Sequence, residues 1–409
     1  MWDQLWIGAD LATCSQDSAG YGLINNAALA AQEGKIAWVG TVEELTKSPE
    51  QLAKKVFEVT GKVITPGLVD CHTHVVYGGD RAHDFSLRLH GATYQEIAQQ
   101  GGGILSTVTA TREASFDELY EQSLQRVQAL MRHGVTTLEI KSGYGLLEEF
   151  EIKQLKVIQA LKSALPIHIE ATYLAAHALP REYQGRSDDY IQFVCAQMLP
   201  YVAEHQLATS VDVFCETIAF SPTQVERIFI AAKQLGFKIR IHAEQLSNQQ
   251  GAALAASYGA LCADHLEFLD EEGALALAKA NAVAVLLPGA FYFLRETQRP
   301  PIALLRQHRI PIALATDCNP GTSPTTNLPL MLNMAATLWH LTPEECLRGA
   351  TIHAAQALGL ADRCGSLEIG KHADFVVWNM RHPDQITYCI DPEFERTVVC
   401  GENIIKPFA

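Results

Sequence analysis

The chain has no run of about 18 apolar residues free of Gly, Pro or charge, so no membrane-spanning helix is expected. It lacks a basic start followed by an apolar core, which argues against a secretory leader and for a cytoplasmic protein. No Lys/Arg run is dense enough to form a positive stripe, and 46 acidic residues outnumber 31 basic ones for a formal charge of -15. Nucleic acid and anionic membrane are therefore poor partners. The 10 cysteines are scattered and none forms a Cys-x-x-Cys pair, which excludes a disulfide framework and fits reduced thiols. No internal repeat or low-complexity tract is present. With 48% hydrophobic and 19% charged residues, disorder and fibrous classes are excluded as well. What is there is length: 409 residues allow two to three units at roughly 150 residues each, although one α/β barrel can absorb about 250.

Up to residue 65 the pattern is short strands and turns, with apolar runs at Leu23 to Ala31 and Lys35 to Val39 punctuated by Gly34 and Gly40. From Val63 onward, apolar runs alternate with amphipathic stretches, which predicts βαβ units and a parallel sheet. Eight strand candidates follow: Leu68 to Val75, Val135 to Ile140, Ile167 to Leu174, Val211 to Cys215, Lys238 to His242, Leu261 to His265, Val283 to Leu287 and Ile312 to Ala315. Helix starts are marked by Ser115 with Glu118, by Ser221 with Gln224 behind Pro222, and by Thr342 with Pro343 and Glu345. Gly134 and Gly236 stand where helices should stop. After about residue 360 turn and strand chemistry returns, ending in the apolar run Phe375 to Trp378. The expected fold is α/β: a (β/α)8 TIM-like barrel over 66–360, with a small β-sandwich domain assembled from 1–65 and 361–409.

Reactive groups in such a barrel lie at the C-terminal ends of its strands. The strongest local signal is Asp70-Cys71-His72-Thr73-His74 at the end of the first strand. Alternate side chains share a face, so His72 and His74 point together into the mouth while Cys71 and Thr73 turn toward the helices. Strand five ends in His242, strand six in Asp264-His265 and strand eight in Asp317. Taken singly, each is equally a hydrogen-bonded barrel histidine or a capping aspartate. Together they need four coincidences of position, and three imidazoles with one carboxylate suit a borderline divalent ion or iron that activates water. Lys141 shares a face with Glu139 and reads as its ion-pair partner. The other histidines, His83, His90, His133, His168, His205, His308, His340, His353, His372 and His382, lack a strand-end position and default to surface or packing roles.

With these residues in view the chain resembles the amidohydrolase superfamily of metal-dependent hydrolases. The resemblance rests on Pro66 to His74, on His242, His265 and Asp317, and on Gly365 to Asp374. A narrower likeness, to its imidazolone-ring-opening branch, rests on Gly101 to Thr107, Lys141 to Gly145, Ala176 to Pro180 and Thr316 to Thr325. It covers essentially the whole chain. It implies hydrolytic opening of 4-imidazolone-5-propanoate to N-formimidoyl-L-glutamate, a step of histidine degradation, in a homodimer. It implies His72, His74, His242 and Asp317 as ligands of one zinc or iron ion per subunit. Strand four ends in Cys215-Glu216, without the lysine of two-metal relatives, which favours one ion over a second ion reached by Glu216.

The same resemblance assigns the substrate carboxylate to Arg81, helped by Tyr144 and Tyr94, and substrate contacts to His177, Asn319, Gly321 and Thr322. Asp317 takes the water proton and His265 stabilises charge as the ring C–N bond breaks. Gln245 stands where some relatives carry Glu; an amide cannot relay a proton, so it hydrogen-bonds the ring. Two other readings fit part of this pattern: a heterocycle deaminase, which shares the ligand set, and a non-catalytic scaffolding barrel, which the complete ligand set argues against.

Overall fold

The structure, a computed structural model, describes residues 1–92, 96 and 101–405. Tyr94 lies outside the described residues. Both chain ends build one eight-stranded sheet. Its N-terminal strands are β1 (Trp2–Ala12), β2 (Leu23–Gln32), β3 (Lys35–Thr41), β4 (Ala53–Glu58) and β5 (Val63–Pro66). The barrel follows as β6 (Leu68–Asp70), β7 (Val135–Lys141), β8 (His168–Tyr173), β9 (Ser210–Val211), β10 (Phe214–Cys215), β11 (Lys238–Ile239), β12 (His242–Ala243), β13 (Cys262–His265), β14 (Val283–Leu286) and β15 (Ile312–Leu314). The terminal sheet is then completed by β16 (Phe375–Trp378), β17 (Phe394–Val399) and β18 (Glu402–Ile405). Its order is β18-β17-β16-β5-β1-β2-β3 with β4 beside β1, so β16 joins the C-terminal strands to β5. Trp6, Leu29, Ile36, Ile64, Phe375, Val377 and Val398 from six of these strands close over one apolar cluster.

All barrel ladders are parallel, in two runs, β11-β9-β8-β7-β6 and β10-β12-β13-β14-β15. β9 with β10 forms the fourth barrel strand and β11 with β12 the fifth. Regular pairing lapses between the halves of each, at Asp212-Val213 and Arg240-Ile241, where inward polar side chains replace apolar ones. Asp212 Oδ1 accepts from Val213 N at 2.8 Å. The ring closes where His74 N donates to Cys318 O and Asp317 N to His72 O, both at 3.0 Å. The first strand is shorter than its apolar run suggests because Thr73 N and Oγ1 bond Glu139, at 3.1 and 2.6 Å, in place of a regular ladder. Cys71 is fully buried in one apolar cluster with Cys262, Ala313 and Ala354.

The helix signals act as read. Ser115 and Glu118 form a capping box, as do Ser221 with Gln224 and Thr342 with Glu345. Gly134 and Gly236 adopt φ of 86° and 84°, a left-handed turn that only glycine takes without a Cβ clash. None of the described helices is long and apolar enough to cross a membrane.

Candidate metal centre and active site

At the C-terminal mouth, His72 Nε2 and His74 Nε2 approach to 3.2 Å, and Asp317 Oδ1 lies 3.5 and 3.4 Å from them. Ligand atoms of His72, His74 and His242 all fall within 4.8 Å of one another. Two ring nitrogens this close repel unless a proton or a cation lies between them. Separations near 3.4 Å are those of ligands about 2.1 Å from one tetrahedral ion. His242 Nε2 is buried with no hydrogen-bond partner, an orphaned lone pair aimed at the same point. Burial holds His72, His74 and His265 well below the ordinary histidine range, so they are neutral imidazoles at pH 7, as metal ligands must be. Burial also pushes the Asp317 carboxyl up to about 7, against the opposing pull of His242. The donor set fits a metal ion.

Beneath the imidazoles lies a buried charge network. His72 Nδ1 donates to Asp264 Oδ2 at 2.7 Å and His242 Nδ1 to Asp212 at 3.1 Å, which fixes both rings with Nε2 facing the cavity. Lys141 Nζ bridges Glu139 at 2.9 Å and Asp212 at 2.8 Å, so the pair read from strand two is joined by a second carboxylate. Arg240 Nη2 donates to Cys71 O at 2.7 Å and stands 3.4 Å from Asp264. Burial alone would raise Asp212; its contacts with His242 and Lys141 instead hold it well below the usual carboxylate range. All five ionisable groups are fully enclosed. Three carboxylates face two cations, which leaves negative potential under the donor set and favours a bound cation.

Above the donors opens a cavity of about 420 Å3, lined by His74, Arg81, Tyr144, His177, His242, Gln245, His265, Asp317, Asn319, Gly321 and Thr322 among others. It thus gathers every described residue that the sequence assigned to metal, substrate or catalysis except His72. Arg81 is aimed by Asp84, which contacts its Nε and also accepts from Gly103 N at 2.9 Å, so the glycine-rich segment acts through Asp84. Tyr144 is presented by a loop whose amides at 143, 145 and 146 converge on Glu151 Oε1, at 3.2, 2.8 and 2.7 Å. His177 Nδ1 donates to Gly143 O at 3.0 Å, turning Nε2 to the cavity, and its ring stacks on His74 with centroids 5.2 Å apart. The Asn319 amide is engaged within its own loop: Oδ1 accepts from Gly321 N and Thr322 N, both at 2.8 Å, and Nδ2 donates to Asp317 O at 2.7 Å. Glu244 caps the helix Gly251–Ser257 through Gly251 N and Ala252 N, at 2.7 and 2.9 Å, leaving Gln245 on the cavity side. Glu216 accepts from Leu246 N and Ser247 N at 3.0 and 3.1 Å, so it braces a loop and stands apart from the donor set. His265 and Asp317 take left-handed φ of 80° and 51°, backbone strain gathered at the site.

Sequence reasoning left Asp212 and Arg240 without a role and used Asp264 only as a strand neighbour. Their signal is charge on the inward face of barrel strands, where each must find a partner. The apolar wall of Ile104, Phe214, Ile218, Leu246 and Leu294 comes from loops with no motif to mark it.

A parallel barrel with a histidine-rich candidate metal site at its C-terminal mouth suits a hydrolase of the amidohydrolase kind, and the amidohydrolase family profile matches residues 63–404, so the chain belongs to that family. The fold is shared with a zinc-bound adenosine deaminase from Xanthomonas campestris, at a TM-score of 0.72 and 17% identity over 98% of this chain and 92% of that one. Within the family the chain belongs to the imidazolonepropionases. It is 54% identical to the imidazolonepropionase of Pseudomonas fluorescens (strain Pf0-1) over 97% of each chain, and 53% identical to that of Yersinia enterocolitica, again over 97% of each.

Proposed function

We propose that this cavity opens the ring of 4-imidazolone-5-propanoate by hydrolysis, with His72, His74, His242 and Asp317 holding one zinc or iron ion. The observation that carries the reading is the coexistence, on one cavity, of that donor set and the Arg81 guanidinium. When bound, such an ion lowers the pKa of water to about 7 and polarises a carbonyl. Water adds to the ring carbonyl, the adjacent C–N bond breaks, the carbonyl carbon becomes the new carboxylate, and the freed nitrogen leaves as part of the formimidoyl group. Asp317 accepts the water proton and returns it to that nitrogen. His265, which lines the cavity, faces the developing charge. Gln245 orients the ring by hydrogen bonds, since its amide cannot carry a proton between steps.

A protein of formal charge -15 repels an anionic substrate, so capture depends on local cations. Arg81, with Nε fixed on Asp84, leaves its terminal nitrogens for a bidentate grip on the propionate. Tyr144 and His177 line the same side and Gly321 lets backbone approach the ligand. Losing a charged hydrogen-bond partner costs about 1.5–3 kcal/mol, so Arg81→Ala should raise KM roughly 10- to 100-fold while kcat changes only a few-fold. Steady-state loss of imidazolone absorbance measures both constants, and an unchanged KM would contradict the carboxylate role.

A further inference from the structure

A second cluster of donor side chains lies outside the active site, at the seam between the barrel and the terminal sheet. His168 opens β8 at the N-terminal end of its barrel strand, opposite the catalytic mouth. His372 and Asp374 lead into β16, and Cys400 sits in the turn between β17 and β18. Each was unremarkable in the sequence, and the two histidines defaulted to surface or packing roles. Folding brings His168 Nε2 to 3.1 Å from His372 Nδ1, 3.0 Å from Asp374 Oδ2 and 3.8 Å from Cys400 Sγ. His372 Nδ1 lies 3.7 Å from Asp374 Oδ2. All four ligand atoms fall within 4.8 Å of one another.

We propose that His168, His372, Asp374 and Cys400 form a second metal site for a borderline divalent cation such as Zn2+. Two imidazoles, one carboxylate and one thiolate complete a four-coordinate set without room for substrate, the composition of a structural site. Donor separations of 3.0–3.8 Å match tetrahedral edges for bonds of about 2.1 Å to N or O and 2.3 Å to S. Asp374 is buried, its Oδ1 accepts from Cys400 N at 2.8 Å, and its Oδ2 faces His168 Nε2, so one oxygen is fixed by backbone while the other is presented to the cluster. The set is also placed for a structural role, because it joins the start of one barrel strand to three positions in the C-terminal segment of the terminal sheet. A bound ion there would tie the last strands to the barrel. Each metal-bound chain would then hold two ions, only one of which supports turnover.

Cobalt distinguishes the sites, because thiolate-to-cobalt charge transfer in the near ultraviolet requires a cysteine ligand and the catalytic donor set has none. Wild-type protein stripped with chelator and reloaded with Co2+ should bind about two ions per chain and show that absorption. Cys400→Ser should lose the band and weaken or lose one ion while keeping turnover within a few-fold. His372→Gln should do the same, and His242→Ala should keep the band. Because the band is read first on wild-type protein, a variant that folds poorly does not remove the test. A wild-type protein that binds a single Co2+ without the charge-transfer band would overturn the proposal, as would a band that survives Cys400→Ser.

Discussion

His242→Ala should give a folded protein that has lost one metal ion per chain and shows no measurable ring opening. The imidazole supplies the only donor from strand five, and its Nε2 has no other partner to satisfy among the described residues. Removing one of four ligands from a site whose ion organises the reacting groups removes the ion, and removing the ion removes catalysis. The fold should persist because the barrel core is built elsewhere, from residues such as Leu138, Ile169, Val211 and Leu286. Asp212 keeps its 2.8 Å contact with Lys141, so its charge is not orphaned by the substitution. Far-ultraviolet circular dichroism, metal analysis and the imidazolone absorbance assay together check the outcome. Turnover above a few per cent of wild type, with the ion retained, would remove His242 from the ligand set.

Lys141→Met should have the largest effect on stability of any substitution remote from substrate. The lysine is fully buried and holds Glu139 and Asp212 at 2.9 and 2.8 Å. Without it three carboxylates face Arg240 alone, and breaking a buried ion pair from one side costs about 3–5 kcal/mol. The pH dependence has a definite sign. Asp212 is held below its ordinary pKa in the native wild type, so its contribution to stability is present above the unfolded carboxylate pKa and is lost as pH falls through the lower folded value. The variant lacks the Lys141 share of that contribution from the outset. The difference between the two proteins should therefore be largest near neutral pH and shrink in acid. Urea unfolding midpoints at pH 7 and under acidic conditions measure it; a loss under about 1 kcal/mol at pH 7 would show that the network is not held by Lys141. Because Asp212 orients His242, metal affinity should fall as well, by roughly 10- to 100-fold.

Much of the fold was legible because period and punctuation report local geometry. Alternating apolar strands and capped helices located the eight barrel strands, and alternation alone was enough to aim His72 and His74 together. Strand interiors were read as continuous where the chain breaks at Asp212-Val213 and Arg240-Ile241, because inward charge in the barrel depends on partners from other strands that no local pattern reveals. The same reason hid the network of Asp212, Arg240 and Asp264. The glycine-rich and Lys141 to Gly145 motifs lie on loops beside the cavity, yet those loops are held by Asp84 and Glu151, which carry no motif. His168, His372, Asp374 and Cys400 come from separate elements, and only the folded chain brings them together.

A mononuclear metal centre in this barrel is proposed to open an imidazolone ring with water. Purified protein of known metal content, incubated with 4-imidazolone-5-propanoate, tests it most directly when imidazolone absorbance, N-formimidoyl-L-glutamate and ammonia are followed together. The expected result is one formimidoyl product for each imidazolone lost, no direct release of ammonia, and a rate proportional to occupancy of the His72, His74, His242 and Asp317 site. Ammonia as the immediate product, or undiminished ring opening by protein stripped of that ion, would contradict it.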